Sequence, residues 1–363
     1  MRLTEFNLTS TSLYSPPTTH LGFISHQLYE FIHRLCGQVV TTIICVVGIF
    51  TNIVNCLVFY RQGLRDRMNL CLFSLALIDL YLLLCIFATF SVSSFIEQLD
   101  ESVGEEYLIR VTAGMSGIIY AFRAASGLIT ALIALERCAC VMLPLRATSL
   151  ISTRSTAVVL TSGVVVLQVG FLVVPLEADV ALIDENETER EWHLVPTTTA
   201  EKSQLVSEAV VFSLLNISLP ILTFVVVSLA TALTVTRLQT AIKWRQTSSS
   251  STCDNGRRQV ALTKMLVLVS CMYIVTMVPV VTIIVCRLLV VDFSPYGHHH
   301  TLYLTCSTLA DQLPLVNCAF NFVVYCTQSS RYRAYLRQLL SCLLKNGNQF
   351  PVFSITNSLT CLY

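Results

Sequence analysis

The chain has 363 residues, of which 54% are hydrophobic and only 12% are charged, about half the charged fraction of an ordinary soluble domain. Its mean hydropathy is +0.68 and its formal net charge is +1. This composition predicts a membrane protein. A large soluble helical core is the alternative, but soluble cores seldom supply so many helices without a polar face.

Long apolar segments follow one another along the chain. Four of them lack charged residues, and each matches or exceeds the roughly 20 residues that span hydrocarbon as a helix. They are residues 35–60, 155–176, 209–236 and 265–286. Three more hold a single charge each, which is Asp79, Arg123 or Asp311. The sequence therefore predicts an all-α membrane protein, a seven-transmembrane helix bundle. The predicted helices cover residues 36–61, 68–97, 106–141, 154–177, 203–242, 257–290 and 300–327.

The distribution of charge predicts the orientation of this bundle. Residues 1–35 are polar, carry a glycosylation sequon at Asn7, and lack the basic start and compact apolar core of a cleaved signal peptide. With these residues outside, most Lys and Arg residues fall in cytoplasmic segments, as the positive-inside rule requires. We therefore expect an extracellular N-terminus at 1–35, a transmembrane domain at 36–327 in the plasma membrane, an interfacial helix at 328–342 and a cytoplasmic tail at 343–363.

Two segments outside the spans carry further signals. The longest outer connection, about 178–202, is acidic and holds a second sequon at Asn186. After the last span, SSRYRAYLRQLLSC at 329–342 is too short and too charged to cross the membrane. Its tyrosines and leucines recur at helical spacing with arginines between them, which predicts an amphipathic eighth helix at the inner membrane surface. Cys342 at its end is a candidate for palmitoylation, and a free thiol is the alternative.

Asp79 is a carboxylate near the middle of its predicted helix, where an ionisable group needs polar partners. The candidates lie in three other predicted helices and are Asn52, Ser126, Asn317 and Asn321. A carboxylate among hydroxyl and amide oxygens could hold a small cation such as sodium, or take up a proton. A hydrogen-bonded structural carboxylate without an ion is the alternative.

Arg123 and Asp311 are expected at the same depth, because each precedes an inner-end residue, Arg137 or Tyr325, by the same number of positions. Both therefore lie about 21 Å above the inner ends of their helices. Opposite charges at equal depth can form an ion pair that lines an outward-facing cavity. The alternative is that each faces water separately, with Arg123 answered by Glu208.

Short motifs occur in a fixed order along the chain. The segment ERCACVMLPL (136–145) resembles the acid-Arg-aromatic signature that closes helix three of rhodopsin-like G-protein-coupled receptors. TNIVNCLVF (51–59), LALID (75–79) and NFVVY (321–325) are similar to the motifs of helices one, two and seven in that family. The resemblance covers residues 36–342. The run RQGLRDRMNLCLFSLALIDL (61–80) further resembles the first inner loop of molluscan chemosensory receptors, with neuropeptide receptors close behind.

This resemblance implies a receptor, not an enzyme. An extracellular ligand would bind among the helices and favour an arrangement in which the inner end of helix six swings outward, which activates a heterotrimeric G protein. The residues expected to bind the ligand are Tyr120, Arg123, Glu208, Met277, Asp311 and Gln312. The residues expected in the switch and at the G protein are Glu136, Arg137, Val141, Pro144, Leu145, Arg237, Arg257, Lys264 and Tyr325. Arrestin, a receptor kinase and the lipid bilayer are further implied partners. Nucleic acid is not among them, and no cofactor is implied apart from sodium near Asp79.

The pocket suggests the class of ligand. Arg123 would meet a carboxylate and Asp311 an amine, which suits a small polar molecule or a short peptide acting as a chemical signal. If the two charges only brace each other, the ligand is apolar instead.

The chain departs from the family pattern at several positions. No cysteine lies between Cys85 and Cys138 or between Cys140 and Cys253, so the usual disulfide from helix three to the second outer loop is missing. Three other cysteines near the outer surface could form a bridge, namely Cys36, Cys286 and Cys306.

Three further departures concern activation. Met277 stands in place of the helix-six tryptophan, Phe322 in place of the helix-seven proline, and Gln259 in place of an inner acid. Glu136 is therefore the obvious local restraint on Arg137.

A membrane transporter of a small polar solute, with Arg123 and Asp311 in its path, is the second candidate function. Transporters commonly show internal repeats and helices broken at the midplane. The sequence shows neither, so the receptor is favoured.

Overall fold

The structure is a computed structural model that describes residues 24–142, 152–172, 178–186, 189–196, 214–247, 254–295 and 297–346. Within these ranges, residues 178–186, 189–196, 244–247, 254–259 and 343–346 are described by their backbone alone.

Helices dominate the described chain, and their ends follow local sequence signals. Gly63, with φ 93°, ends the first helix because an L side chain rarely adopts that backbone conformation. The Asp66 side chain accepts a hydrogen bond from the backbone N–H of Met68 and begins the second helix. Ser152 begins the fourth helix in the same way. The helices are α1 (His26–Gln62), α2 (Arg67–Glu97), α3 (Glu101–Met142), α4 (Thr153–Phe171), α5 (Leu219–Thr247), α6 (Asp254–Leu289), α7 (His300–Gln328) and α8 (Ser330–Asn346).

Six helices in the described part of the chain are long and apolar enough to cross a membrane. They are α1 to α4, residues Leu214–Lys243 of α5 with the turn before it, and residues Val260–Leu289 of α6. The helix α7 lies outside that set, and it packs between α1 and α6 along its length. Large apolar side chains on the outer faces, such as Val166 of α4 and Phe50 of α1, are exposed as expected for contact with lipid.

The third helix lies at the centre of the bundle. It packs against α2, α4 and α5, while α1 packs against α2 and α7, and α6 packs against α5 and α7. Buried apolar side chains from α2, α3 and α6, among them Leu75, Ile129 and Leu266, form the main core. This arrangement brings polar residues of α2, α3 and α7 together inside the bundle.

The helix boundaries differ from the predicted ones in instructive ways. α1 begins at His26, before the predicted residue 36, and continues through a π-helical turn at Leu35–Val40. A second π-helical turn, Phe87–Ser91, interrupts α2, and the Tyr107 hydroxyl donates to the Ala88 carbonyl in that turn. Extra-residue turns of this kind carry no simple signal in hydrophobic periodicity. The predicted ends of the fourth and fifth helices, 173–177 and 203–213, lie outside the described residues.

An antiparallel β-hairpin occurs in the connection between α4 and α5. Strand β1 (Ala178–Asn186) pairs with β2 (Glu189–Pro196), with Ala178 opposite Pro196 and Leu182 opposite Trp192. The hairpin backbone lies against α3. The sequence analysis described this connection by its acidic charge and its sequon and made no prediction of its secondary structure.

The last helix is fixed to the bundle by hydrogen bonds. Arg333 donates to the backbone carbonyls of Cys326 and Thr327, both at 2.8 Å, near the end of α7. Arg331 donates to the carbonyl of Gln62 at the end of α1, at 3.2 Å. Cationic side chains thus satisfy carbonyls that have no partner within their own helices.

Candidate functional site

Asp79 is completely buried between α2, α3 and α7. Its Oδ1 accepts a hydrogen bond from the Ser126 hydroxyl at 2.6 Å, and its Oδ2 accepts one from the Asn321 amide at 3.1 Å. The Cys318 side chain is a further neighbour of this carboxylate. Two of the four predicted partners therefore contact Asp79 directly. Cys318 was missed, because a cysteine in an apolar helix resembles any small hydrophobic residue.

The other two predicted partners, Asn52 and Asn317, do not donate to Asp79. The Asn52 amide donates to the carbonyls of Gly48 at 2.9 Å and Cys318 at 3.0 Å, and so joins α1 to α7. The buried Oδ1 of Asn317 has no hydrogen-bond partner. The side-chain oxygens of Asp79, Ser126 and Asn317 are hard ligands of the type that small cations bind. Sodium binding stays a prediction.

A buried polar chain extends from this region to α8. The Tyr332 hydroxyl donates to Oδ1 of Asn55 at 2.6 Å, and the Asn55 amide donates to Oδ1 of Asn52 at 3.3 Å. Tyr332 and Asn55 are 1% and 0% exposed. The Tyr332 ring also packs against Tyr325 of α7, with ring centroids 5.6 Å apart. Neither Asn55 nor Tyr332 was singled out from the sequence, because they lie far apart along the chain.

Arg123 and Asp311 form an ion pair between α3 and α7. Nη1 of Arg123 donates to Oδ1 of Asp311 at 2.7 Å, and the two side chains are 29% and 51% exposed. The pairing is one of the two alternatives that the sequence left open. The other alternative, Glu208, lies outside the described residues. The buried Nε of Arg123 has no hydrogen-bond partner.

The remaining predicted ligand residues are distributed around this pair. Tyr120 lies one turn before Arg123 on α3, and its ring stacks on Phe171 of α4 with centroids 6.1 Å apart. Gln312 accepts a hydrogen bond from the Thr41 hydroxyl of α1 at 3.0 Å. Met277 is buried in a cluster of α3, α5 and α6 side chains that includes Tyr273. Gln312 follows Asp311 directly in sequence, but its side chain is turned towards α1.

The inner end of α3 holds a group of three charges. Glu136 accepts two hydrogen bonds from Arg137 on its Oε2, at 3.1 Å from Nε and 2.7 Å from Nη2. Nη2 of Arg67, at the start of α2, lies 3.7 Å from Oε1 of the same carboxylate. Arg67 was not predicted at this site. The sequence placed it only in an inner loop, and which side chains such loops bring to α3 depends on the packing of the helices.

A narrow cleft lies beside Arg137 between α3, α5 and α6. It contains no space for a water molecule. Its lining is Ala134, Arg137, Thr231, Thr234, Leu266, Val267 and Ser270. Arg137 itself is 9% exposed, so its charge is directed into the protein rather than towards the surface.

Other predicted switch residues lie around this inner end. Arg237 and Lys264 are exposed on α5 and α6, Val141 is half-buried near the end of α3, and Tyr325 is buried. Arg257 lies in the first turns of α6, where the backbone alone is described. Pro144 and Leu145 lie outside the described residues, as does the sequon residue Asn7. Asn186 ends strand β1, and Cys342 is exposed on α8.

A hydrogen bond joins α5 to α6 deeper in the bundle. The Tyr273 hydroxyl donates to Oγ1 of Thr223 at 3.1 Å. Gly127 of α3 leaves room for this contact, because a Cβ there would lie 3.0 Å from the Tyr273 oxygen. The three residues belong to three helices, so only the packed bundle reveals their relation.

The cysteines that the sequence analysis placed near the outer surface carry free thiols in the described structure. These are Cys36 of α1, Cys286 of α6 and Cys306 of α7, the three that the sequence analysis considered for a bridge. No disulfide occurs among the described residues.

The fold and these sites define a multi-pass helical membrane protein. Charged pairs lie towards both ends of its bundle, and a buried carboxylate lies between them. Residues 39–343 match the family described as Serpentine type 7TM GPCR chemoreceptor Srw, and this match covers most of the chain. The chain therefore belongs to this family of G-protein-coupled receptors, which points to a receptor without enzymatic activity. A comparison with curated proteins finds no match.

Proposed function

We propose that the protein is a rhodopsin-like chemosensory receptor of the plasma membrane, with its N-terminus outside and a heterotrimeric G protein as its inner partner. The observation that carries this proposal is the inner end of α3. There Arg137 is held by Glu136 next to a closed cleft of α3, α5 and α6. A change in the packing of α6 would open that cleft and expose Arg137 to a partner.

The Arg123–Asp311 pair supports a ligand site in the outer half of the bundle. Both side chains are partly exposed, so an incoming ligand can reach the guanidinium and the carboxylate. A zwitterionic ligand, such as an amino acid or a short peptide, would place its carboxylate at Arg123 and its amine at Asp311. Each charge of the pair would exchange one partner for another, so neither would be left uncompensated.

Substitution of Arg123 tests this site. We expect Arg123→Ala to abolish the response to the activating amino acid or peptide while the receptor still reaches the cell surface. Arg110→Ala is the matched control, because Arg110 lies on the same helix and forms an ion pair of the same length, 2.7 Å, with Glu106. An unchanged dose response in Arg123→Ala would remove Arg123 from the ligand site.

Exchanging the charges of Arg123 and Asp311 distinguishes a role in ligand binding from a role in holding α3 and α7 together. The double variant Arg123→Asp with Asp311→Arg keeps an ion pair between α3 and α7 but reverses its direction. If the charges bind a zwitterion, the response stays lost in the double variant. If they only brace the helices and the ligand is apolar, the double variant recovers the response, and the zwitterion proposal fails.

Transport of a small polar solute is the competing function. Nucleotide exchange on a G protein, measured beside solute uptake in the same vesicles, distinguishes the two. Solute uptake without any nucleotide exchange on the G protein would overturn the receptor proposal. Arrestin and receptor kinase binding, glycosylation at Asn7 and Asn186, palmitoylation of Cys342, an interfacial position of α8 and sodium at Asp79 belong to the same proposal and each needs its own assay.

A further inference from the structure

Thr231 of α5 is a buried hydroxyl without a hydrogen-bond partner. The residue is 6% exposed, and its Oγ1 makes no hydrogen bond. It lines the same cleft as Arg137, and this cleft is too narrow for a water molecule. A buried hydroxyl that neither protein nor water satisfies destabilises the arrangement that buries it, typically by about 1–3 kcal/mol. The closed cleft therefore carries an energetic penalty that an opened cleft would not.

Ser228 of α5 also carries a buried hydroxyl without a partner, but it does not line the cleft, and a neighbouring threonine that does line it is satisfied. Thr234 lies one turn later on α5 and lines the same cleft, but its hydroxyl donates to the Ala230 carbonyl at 2.7 Å. Threonines in helices commonly satisfy themselves in this way. Thr231 does not, although its position in the helix would allow the same bond, so its oxygen stays available to a donor in the cleft.

Arg137 is the strongest donor that lines the cleft. Its Nε and Nη2 are directed to Glu136 in the closed arrangement. Once that carboxylate is released, the guanidinium needs other acceptors, because a buried cation without partners is costly. Leu266 and Val267 of α6 offer no acceptor side chain, which leaves hydroxyl groups as the side-chain acceptors among the cleft residues.

We infer that Thr231 is a positioning residue for Arg137. When α6 moves away from α3 and α5, the Thr231 hydroxyl accepts a hydrogen bond from the Arg137 guanidinium and holds it extended in the opened cleft. The same hydroxyl destabilises the closed cleft, where it has no partner. Thr231 thus favours the open arrangement in two ways, because it stabilises the open cleft and destabilises the closed one. This inference rests on the proposed function, because it assumes that opening exposes Arg137 to a G protein.

The test uses the full-length receptor in lipid nanodiscs with a purified heterotrimeric G protein and no added ligand. Basal exchange of a GTP analogue is measured for wild type, Thr231→Val, Thr231→Ser and the control Thr234→Val, together with the melting temperature of each receptor. We expect Thr231→Val to lower basal exchange about tenfold, as the loss of a hydrogen bond to a charged group implies. Its melting temperature should rise by a few degrees, because the unpaired hydroxyl has been removed from the closed state.

Two comparison variants show whether the effect depends on the hydroxyl of Thr231. Thr231→Ser keeps the hydroxyl and should retain wild-type exchange, and Thr234→Val should change exchange little. If Thr231→Val matches Thr234→Val in both exchange and melting temperature, the role of Thr231 is overturned while the receptor function stands. If Thr231→Val is stabilised but exchanges normally, Thr231 is a structural defect of the closed state and not a positioning residue. If neither wild type nor Glu136→Gln, which releases Arg137, stimulates any exchange while well folded, the proposed function fails and this inference fails with it.

Discussion

Neutralising Glu136 should release the restraint on Arg137. In Glu136→Gln, the two hydrogen bonds from Arg137, at 3.1 and 2.7 Å, lose their charged acceptor but keep an oxygen of the same size. Hydrogen bonds to charged groups contribute about 1.5–3 kcal/mol, roughly twice the contribution of neutral ones. Both side chains are only 11% exposed, so solvent screens this interaction weakly. The loss is therefore about 1.4 kcal/mol, which is a tenfold shift in an equilibrium constant.

The second arginine at this site increases the effect. Nη2 of Arg67 lies 3.7 Å from the Glu136 carboxylate, so the carboxylate separates two cations. Without its charge, Arg67 and Arg137 repel each other across a partly buried space. This repulsion drives Arg137 away from α2 and towards the cleft of α3, α5 and α6. We therefore expect at least a tenfold rise in basal signalling while the resting state still predominates.

The measurement is basal exchange of a GTP analogue on a G protein, divided by the amount of folded receptor. Glu106→Gln is the matched control. It removes the same charge from the same helix, and it breaks an ion pair of 2.7 Å with Arg110 that is exposed to solvent. Exposed pairs contribute about 0–1 kcal/mol, so this control should behave as wild type. Equal basal exchange in Glu136→Gln and Glu106→Gln would refute the argument that Glu136 restrains Arg137.

Two further predictions concern contacts between helices. Tyr332→Phe leaves the buried Asn55 oxygen without its donor and should destabilise the bundle by about 1–3 kcal/mol, seen as a lower melting temperature. Adding Asn55→Val should recover part of that loss, and strictly additive losses would contradict the hydrogen bond. Gly127→Ala places a Cβ 3.0 Å from the Tyr273 hydroxyl and should destabilise by about 1–3 kcal/mol. Tyr273→Phe removes that oxygen and should relieve the crowding in the double variant. If the double variant is as unstable as Gly127→Ala alone, crowding at this oxygen is not the cause.

Much of the architecture could be predicted because the bilayer places strong constraints on the sequence of a membrane-spanning helix. A span needs a long apolar run, and a charge inside such a run needs a partner, so Asp79, Arg123 and Asp311 were noticeable at once. Depth along a helix is a simple product of residue count and rise. That sufficed to suggest the Arg123–Asp311 pair that the structure contains.

The contacts that were missed depend on helix rotation and packing. Cys318 faces Asp79, Arg67 reaches Glu136, and Tyr332 reaches Asn55, yet none of these pairs is close in sequence. Apolar spans also lack the strong amphipathic pattern that would fix which face turns inward. Only the assembled bundle brings these groups together.

The bond between Tyr332 and Asn55 has a consequence for how the protein is made. Asn55 and Asn52 belong to a span that is synthesised long before their partners Tyr332 and Cys318. Until then, α1 must hold two amide side chains in the bilayer before the Cys318 carbonyl and the Tyr332 hydroxyl are available to them. Unsatisfied amides in hydrocarbon attract any available polar helix. The early spans are consequently exposed to wrong pairings until α8 arrives, and insertion of this receptor should depend on cellular factors that shield polar membrane helices.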